Sequence, residues 1–409
     1  MTFRLRSFVL FVLSAFLLSC EGGADKSKRT ADKGTYAYDA EFLRLHAKNV
    51  TELISKDGKA KVLLAADYQG RVMTSTSDGD SGVSYGWLNY DLIGSGTKKK
   101  QFNPVGGEER FWLGPEGGQF SLFFRGQDSF SIKAWQVPPL LDTVEYELKK
   151  ISDAEVLFSK SASLTNYSGT VFPMAISRTI TLLDQDSISR LLDVPIPGTV
   201  TSVSYETDNR IINTGQQAWK KEQGLLSIWL LGMFTPSENT TVIIPFHYRP
   251  DAKSFITSDY FGKIPEDRLQ IKDSVLYFTC DGKHRSKLGL SPVIAKEIAG
   301  SFDYTRNILT IISFPVEKNG SYVNSKWEMQ QEPFKGDVVN SYNDGPLPDG
   351  SQLGMFYELE SSSAAAELKQ GETLQHRQIT CHFKGDYNAL RQIAQKILGV
   401  DLEDVRKKN

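Results

Sequence analysis

Thr241-Val242-Ile243-Ile244-Pro245-Phe246 and Ile308-Leu309-Thr310-Ile311-Ile312-Ser313-Phe314 are short runs dominated by β-branched and aromatic side chains. Such runs suit a pleated, buried strand and are too short for a core helix. Similar runs recur at Val62-Leu63-Leu64, Phe120 to Phe124 and Val200 to Tyr205. Leu225 to Phe234, Ser274 to Cys280 and Leu374 to Phe383 also read as strands. Asp281-Gly282, Asn319-Gly320, Asp344-Gly345 and Asp349-Gly350 punctuate them as turns. From Lys61 to about Lys384 no amphipathic helix alternates with these strands, which argues against a doubly wound α/β fold. The pattern predicts a mainly β protein of packed antiparallel sheets.

Helical spacing is confined to the two ends. Phe42, Leu45, Val50, Leu53 and Ile54 predict one helix over Tyr38 to Ile54, closed by Asp57-Gly58. Leu390, Ile393, Ile397, Leu398, Leu402 and Val405 predict a C-terminal helix over 387–405, interrupted near Gly399. A chain of 409 residues has length for two or three domains, but all-β folds often exceed the usual size as one unit. We expect residues 38–409 to form a single domain.

Arg4 and Arg6 precede an apolar run from Phe8 to Leu18 that ends in Leu17-Leu18-Ser19-Cys20. This is the layout of a secretory signal over residues 1–19. The run falls well short of the about 20 residues that span a membrane. Cys20 in the first mature position resembles the lipobox of bacterial lipoproteins, which implies lipidation there; an ordinary signal with an incidental cysteine is the other reading. Glu21 to Gly34 is polar and reads as a flexible tether, so residues 20–37 would link lipid to domain. The expected place is the cell envelope, as a lipoprotein at the outer membrane facing the periplasm or the surface. The membrane contact would be the lipid alone. A net charge of −2 gives no reason to expect nucleic acid.

Cys280 and Cys381 lack Cys-x-x-Cys or His-x-x-x-His spacing, so no metal site and no cofactor is expected. They read either as a disulfide or as two buried thiols. Nucleophile-elbow, zinc-helix, phosphate-loop and EF-hand motifs are missing. Gly114-Pro115-Glu116-Gly117-Gly118 lacks the Lys-Ser/Thr of a phosphate cradle and reads as a turn.

Three segments mix aromatics, amides and charges: Arg110 to Glu116, Tyr205 to Trp219, and Tyr322 to Glu360. Sugar sites need this mixture, because a ring face covers pyranose C–H groups while amides, carboxylates and Arg satisfy the hydroxyls. The candidate substrate-binding residues are Arg110, Trp112, Asn213, Trp327, Glu328, Asn340, Tyr342, Asp344 and Glu358. The bland alternative is that Trp112, Trp219 and Trp327 fill a β core and the amides serve turns.

Met355 to Glu360, Leu368-Lys369-Gln370-Gly371-Glu372 and Thr380-Cys381-His382-Phe383 resemble the C-terminal end of galactose-mutarotase-like proteins, with Gln370 in place of a proline. Asn213-Thr214-Gly215 resembles the Asn-Thr-Gly turn of the same proteins. Tyr68 to Ser75, the Trp112 segment and Val339 to Pro346 resemble an uncharacterised family of bacterial lipoproteins with this fold. The resemblance implies an antiparallel β-supersandwich whose concave face binds carbohydrate. It further implies a glutamate base, which falls on Glu360, and a histidine acid. No histidine lies in Leu225 to Phe234, where the family places it, which leaves His376 or an unrecognised group as the acid.

Three functions are therefore carried forward: a lipid-anchored carbohydrate binder without known epimerase chemistry, a sugar-converting enzyme, and an envelope scaffold. The enzyme would be an aldose epimerase using Glu360 and His376, or a glycosidase drawing paired carboxylates from Glu328, Asp337, Asp344 and Glu360.

Overall fold

A computed structural model describes residues 31–406. The expected signal, Cys20 and most of the tether lie outside the described residues. Antiparallel strands dominate, in sheets of three, six and ten strands. The six-stranded sheet runs in the order Ile256–Thr257, Ser286–Leu290, Val339–Asn343, Tyr357–Ser362, Ser227–Phe234 and Arg110–Gly114. The three-stranded sheet, Val50–Ile54, Lys61–Ala65 and Arg71–Thr76, joins its Arg110 edge through a bridge between Val72 and Glu109. These two sheets form one layer.

The ten-stranded sheet forms the other layer. Its long strand Val171–Leu183 alternates buried with more open positions along its length, and Val200–Asn213 and Thr373–Gly385 do so over residues 205–213 and 373–380. Leu288, Val339 and Leu359 from one layer meet Val242, Leu276 and Phe278 from the other in a shared apolar core. The helix Tyr387–Leu398 caps the far side of the large sheet, laying Leu390, Ile393 and Leu398 on Ile311, Cys381 and Phe383. Asp386 accepts the Ala389 N–H at its start, and Gly399 ends it in left-handed geometry before a second turn, Leu402–Arg406.

Two expectations about elements are corrected. The N-terminal helix covers only Tyr36–His46, and Val50–Ile54 is a strand paired with Lys61–Ala65. Asn49 turns left-handed between them, and the β-branched Val50, Thr51 and Ile54 favour the sheet. Phe120 to Phe124 is a turn, because the Ser121 hydroxyl accepts the N–H groups of both Phe123 and Phe124. Cys280 and Cys381 are free and buried. Cys280 faces Ser341 between the layers, whereas Cys381 lies under the C-terminal helix, so the large sheet separates them.

Candidate functional site

Side chains on a strand point alternately to opposite faces. In Tyr357–Ser362, Tyr357, Leu359 and Ser361 face the large sheet, while Glu358 and Glu360 face outward. Register then places Tyr342 beside Glu358 and Asn340 beside Glu360 on one side, with Met233 and Leu231 on the other. One strand further on, Lys287 pairs with Tyr342 and Gly289 with Asn340. On the opposite edge Arg110 pairs with Leu231 and Trp112 with Trp229.

The result is a charged floor. Lys287 Nζ and Trp229 Nε1 each lie 2.9 Å from Glu360 Oε2. Arg110 Nη2 lies 3.1 Å from Glu358 Oε1, and its guanidinium rests 4.0 Å from the Trp112 ring centroid. Glu360 is fully buried, yet the Lys287 side chain keeps 13% of its surface open to solvent. Glu360 Oε1, Arg110 Nε and Arg110 Nη1 have no hydrogen-bond partner. Burial opposes the charge on Lys287, but Glu360, Glu116 and Glu358 outweigh it and hold the ammonium charged. Burial pushes Glu358 up to about 8, with Glu360 adding to the rise and Arg110 opposing it.

Two segments wall the floor. Tyr260 donates to Asp337 Oδ2 at 2.6 Å, and burial raises Asp337 to about 6. Gly289 makes room for this contact, since a Cβ there would sit 2.1 Å from Asp337 Oδ2. Burial raises the Glu116 pKa, and the neighbouring Trp135 and Trp327 indoles oppose the rise. Those two rings stack with centroids 5.9 Å apart. A strap carrying Ser325 to Gln330 crosses over Glu116, fastened by the Gln119 side-chain amide, which donates to the Gln330 carbonyl and accepts from the Gln330 N–H. Gly117 permits the crossing, since a Cβ there would come within 2.2 Å of the Lys326 carbonyl oxygen.

A family model described as a family of unknown function, DUF6786, matches residues 34–409. The chain belongs to this family. A search of the curated proteins finds no match. Among solved structures, the chain is similar to a protein of Escherichia coli K12 provisionally assigned as an aldose 1-epimerase. Identity is 10%, covering 83% of this chain and 100% of that one, with a TM-score of 0.50. It also matches a galactose mutarotase-like protein from Lactobacillus casei ATCC 334 at 12% identity, 82% and 99% coverage and a TM-score of 0.42. The fold of this DUF6786 protein is galactose mutarotase-like, and identities this low establish the fold alone.

Of the residues proposed from sequence, this DUF6786 protein gathers Arg110, Trp112, Asn340, Tyr342, Glu358 and Glu360 on one face, while Trp327 stacks on Trp135 and meets Phe124 edge-on. Asp344 lies at the end of that face, where it accepts from Tyr342 at 2.5 Å and from the Gly354 N–H at 2.9 Å. It pins a loop there. Three residues fall elsewhere. His376 faces the space between the sheets, its Nε2 2.8 Å from Ser361 Oγ, and burial lowers it to about 3. Asn213 holds a turn, donating to the carbonyls of Gln217 and Leu368. Glu328 is exposed on the strap.

Lys287 escaped the sequence reading, although a lone cation in the alternating run Ser286-Lys287-Leu288-Gly289-Leu290 is the available signal. Trp229 was hidden in an apolar strand, and its role depends on which neighbour it meets. A groove of about 420 Å³ lies nearby, lined by Phe124, Val137, Pro138, Leu164 and Tyr167. Arg125, Gln136 and Asn166 also line it, whereas Glu358, Glu360, Arg110 and Lys287 lie on the sheet face instead.

Proposed function

We propose that this protein binds carbohydrate on the outward face of its six-stranded sheet. The observation that carries the reading is the arrangement around Glu360. A carboxylate, a lysine, an arginine and an amide project from adjacent strands between tryptophan rings, with buried donor and acceptor atoms left unpaired. Directional polar groups beside flat apolar faces match the two sides of a pyranose. The mutarotase-like fold is consistent with a sugar-related role.

The test is a glycan array with purified full-length protein, followed by titration of hits through tryptophan emission. Trp327→Ala and Asn340→Ala should each weaken binding about tenfold or more. A blank array across common glycans would sink the proposal. An envelope location, with lipid on Cys20, belongs to the same proposal. It predicts incorporation of a labelled fatty acid that Cys20→Ser abolishes.

A further inference from the structure

Resting on the reading of this face as a carbohydrate site, we infer that the sugar it takes carries a free ammonium group seated against Glu360 Oε1. The ligand class is an amino sugar, in place of a neutral or N-acylated one.

Glu360 supplies the seat. Its side chain is fully buried, and Lys287 Nζ and Trp229 Nε1 both reach the same oxygen, Oε2. Oε1 has no hydrogen-bond partner. A buried carboxylate oxygen without a donor is costly, and a charged N–H group is the donor that offsets the cost best. The cations of this face are engaged elsewhere. Lys287 holds Oε2, and Arg110 stands two strands away, bonded to Glu358 at 3.1 Å and spread over the Trp112 ring.

The charge balance of the face points the same way. Glu358 and Glu360 project from one strand, and Asp337 closes the row beyond Asn340. A Cβ on Gly289 would sit 2.1 Å from Asp337 Oδ2 and 2.3 Å from Asn340 Nδ2. Glu116 adds a fourth carboxyl from the wall. Against these stand Lys287 and Arg110. The rim cations are matched, since Lys326 Nζ lies 3.8 Å from Asp259 and Arg285 bonds the Tyr342 hydroxyl that donates to Asp344. The face therefore holds protons where it lacks cations: burial lifts Glu358 to about 8 and Asp337 to about 6, and raises Glu116 as well. The charged and titratable groups acting on Glu358 are Arg110, Glu360, Lys287 and, across the strand pair, Tyr342. Tyr260, Lys287 and Lys326 act on Asp337, and Lys287 and Glu360 on Glu116.

The rings beside the seat favour a cation too. Lys287 Nζ lies 4.9 Å from the Trp229 ring centroid and 5.7 Å from that of Tyr260. An acyl group on the sugar nitrogen would remove the charge that these rings and carboxyls select. Binding is then an exchange, in which the entering ammonium lowers the pKa of the nearby carboxyls and a proton leaves. No bond of the sugar is made or broken.

Titration of the full-length protein by tryptophan emission at about pH 6.5, below the Glu358 value, tests this. Glucosamine, galactosamine and mannosamine are compared with their parent hexoses and their N-acetylated forms. At least one amino sugar should bind about 10–100-fold more tightly than both of its neutral counterparts. That comparison needs no variant to fold. Calorimetry at the same pH in phosphate and in imidazole buffer should give different heats, because a proton is released. Glu360→Gln should lower amino-sugar affinity to that of the parent hexose. Neutral sugars that bind as tightly as the amines, identical heats in the two buffers, or a preference that survives Glu360→Gln each overturn the ammonium seat and leave the carbohydrate reading standing. No binding of any of these sugars, with a blank array, removes both.

Discussion

The strand Tyr357–Ser362 borders two polar regions of opposite character. Inward, Ser361 bonds His376 and Gln378; Gln378 donates to Glu109, which also pairs with Arg178 at 3.0 Å and accepts from Thr207. Beside them Glu108 accepts from Ser75, Tyr205 and His382. Both side chains of the Arg178–Glu109 pair are fully sealed from solvent. Outward, Glu358, Glu360, Arg110 and Lys287 stand on one sheet with a strap and loops above them rather than a second sheet. Unpaired buried atoms occur in both regions, Arg178 Nη1 in one and Arg110 Nη1 in the other. Satisfaction therefore does not separate them. Access does: the inner groups cross-link two layers that no ligand can part, and the outer ones lie beside a lysine that still reaches water.

The sharpest way to break this comparison is to remove one inner charge. Arg178→Met leaves Glu109 buried without its cation and should cost about 3–5 kcal/mol in urea unfolding. A loss below about 1 kcal/mol would show that the inner network is dispensable.

The two regions should also respond to pH in opposite directions. Glu358 is raised from 4.5 to about 8 on folding. Its contribution is complete below 4.5 and is lost as pH climbs toward 8, with a slope of up to about 1.4 kcal/mol per pH unit. His376 is lowered from 6.5 to about 3. Its contribution is complete above 6.5 and is lost as pH falls toward 3, with the same limiting slope. Urea midpoints from pH 4 to 9 should show Glu358→Gln flattening only the alkaline side and His376→Gln only the acid side. Either variant acting on the wrong side would contradict the assignment of its face.

The smallest expected effect concerns the roof. Gly117→Ala should displace the strap at a cost of about 1–2 kcal/mol and increase acrylamide quenching of Trp327 emission. Unchanged quenching would mean that the strap is not seated by that glycine.

Much of this architecture was legible in the residues. Runs such as Thr241 to Phe246 and Ile308 to Phe314 announce strands because period-2 burial rewards β-branched side chains locally. Helical spacing from Leu390 to Val405 announces the C-terminal helix for the same local reason. Glu358 and Glu360 were legible as a same-face pair, since one residue separates them. The first helix was overextended because Val50, Leu53 and Ile54 fit a helical stripe as well as a strand, and the choice was made by pairing with Lys61–Ala65.

The sequence alone determined which residues alternate along each strand, because alternation is a property of the extended backbone itself. Only the tertiary structure decided which face of that alternation is sealed. His376 and Glu360 are equally polar and both sit in β runs, yet one closes on Ser361 between the sheets and the other on Lys287 beneath the strap. That outcome depends on strand order and on which layer covers which side, and these are set by contacts between residues distant along the chain.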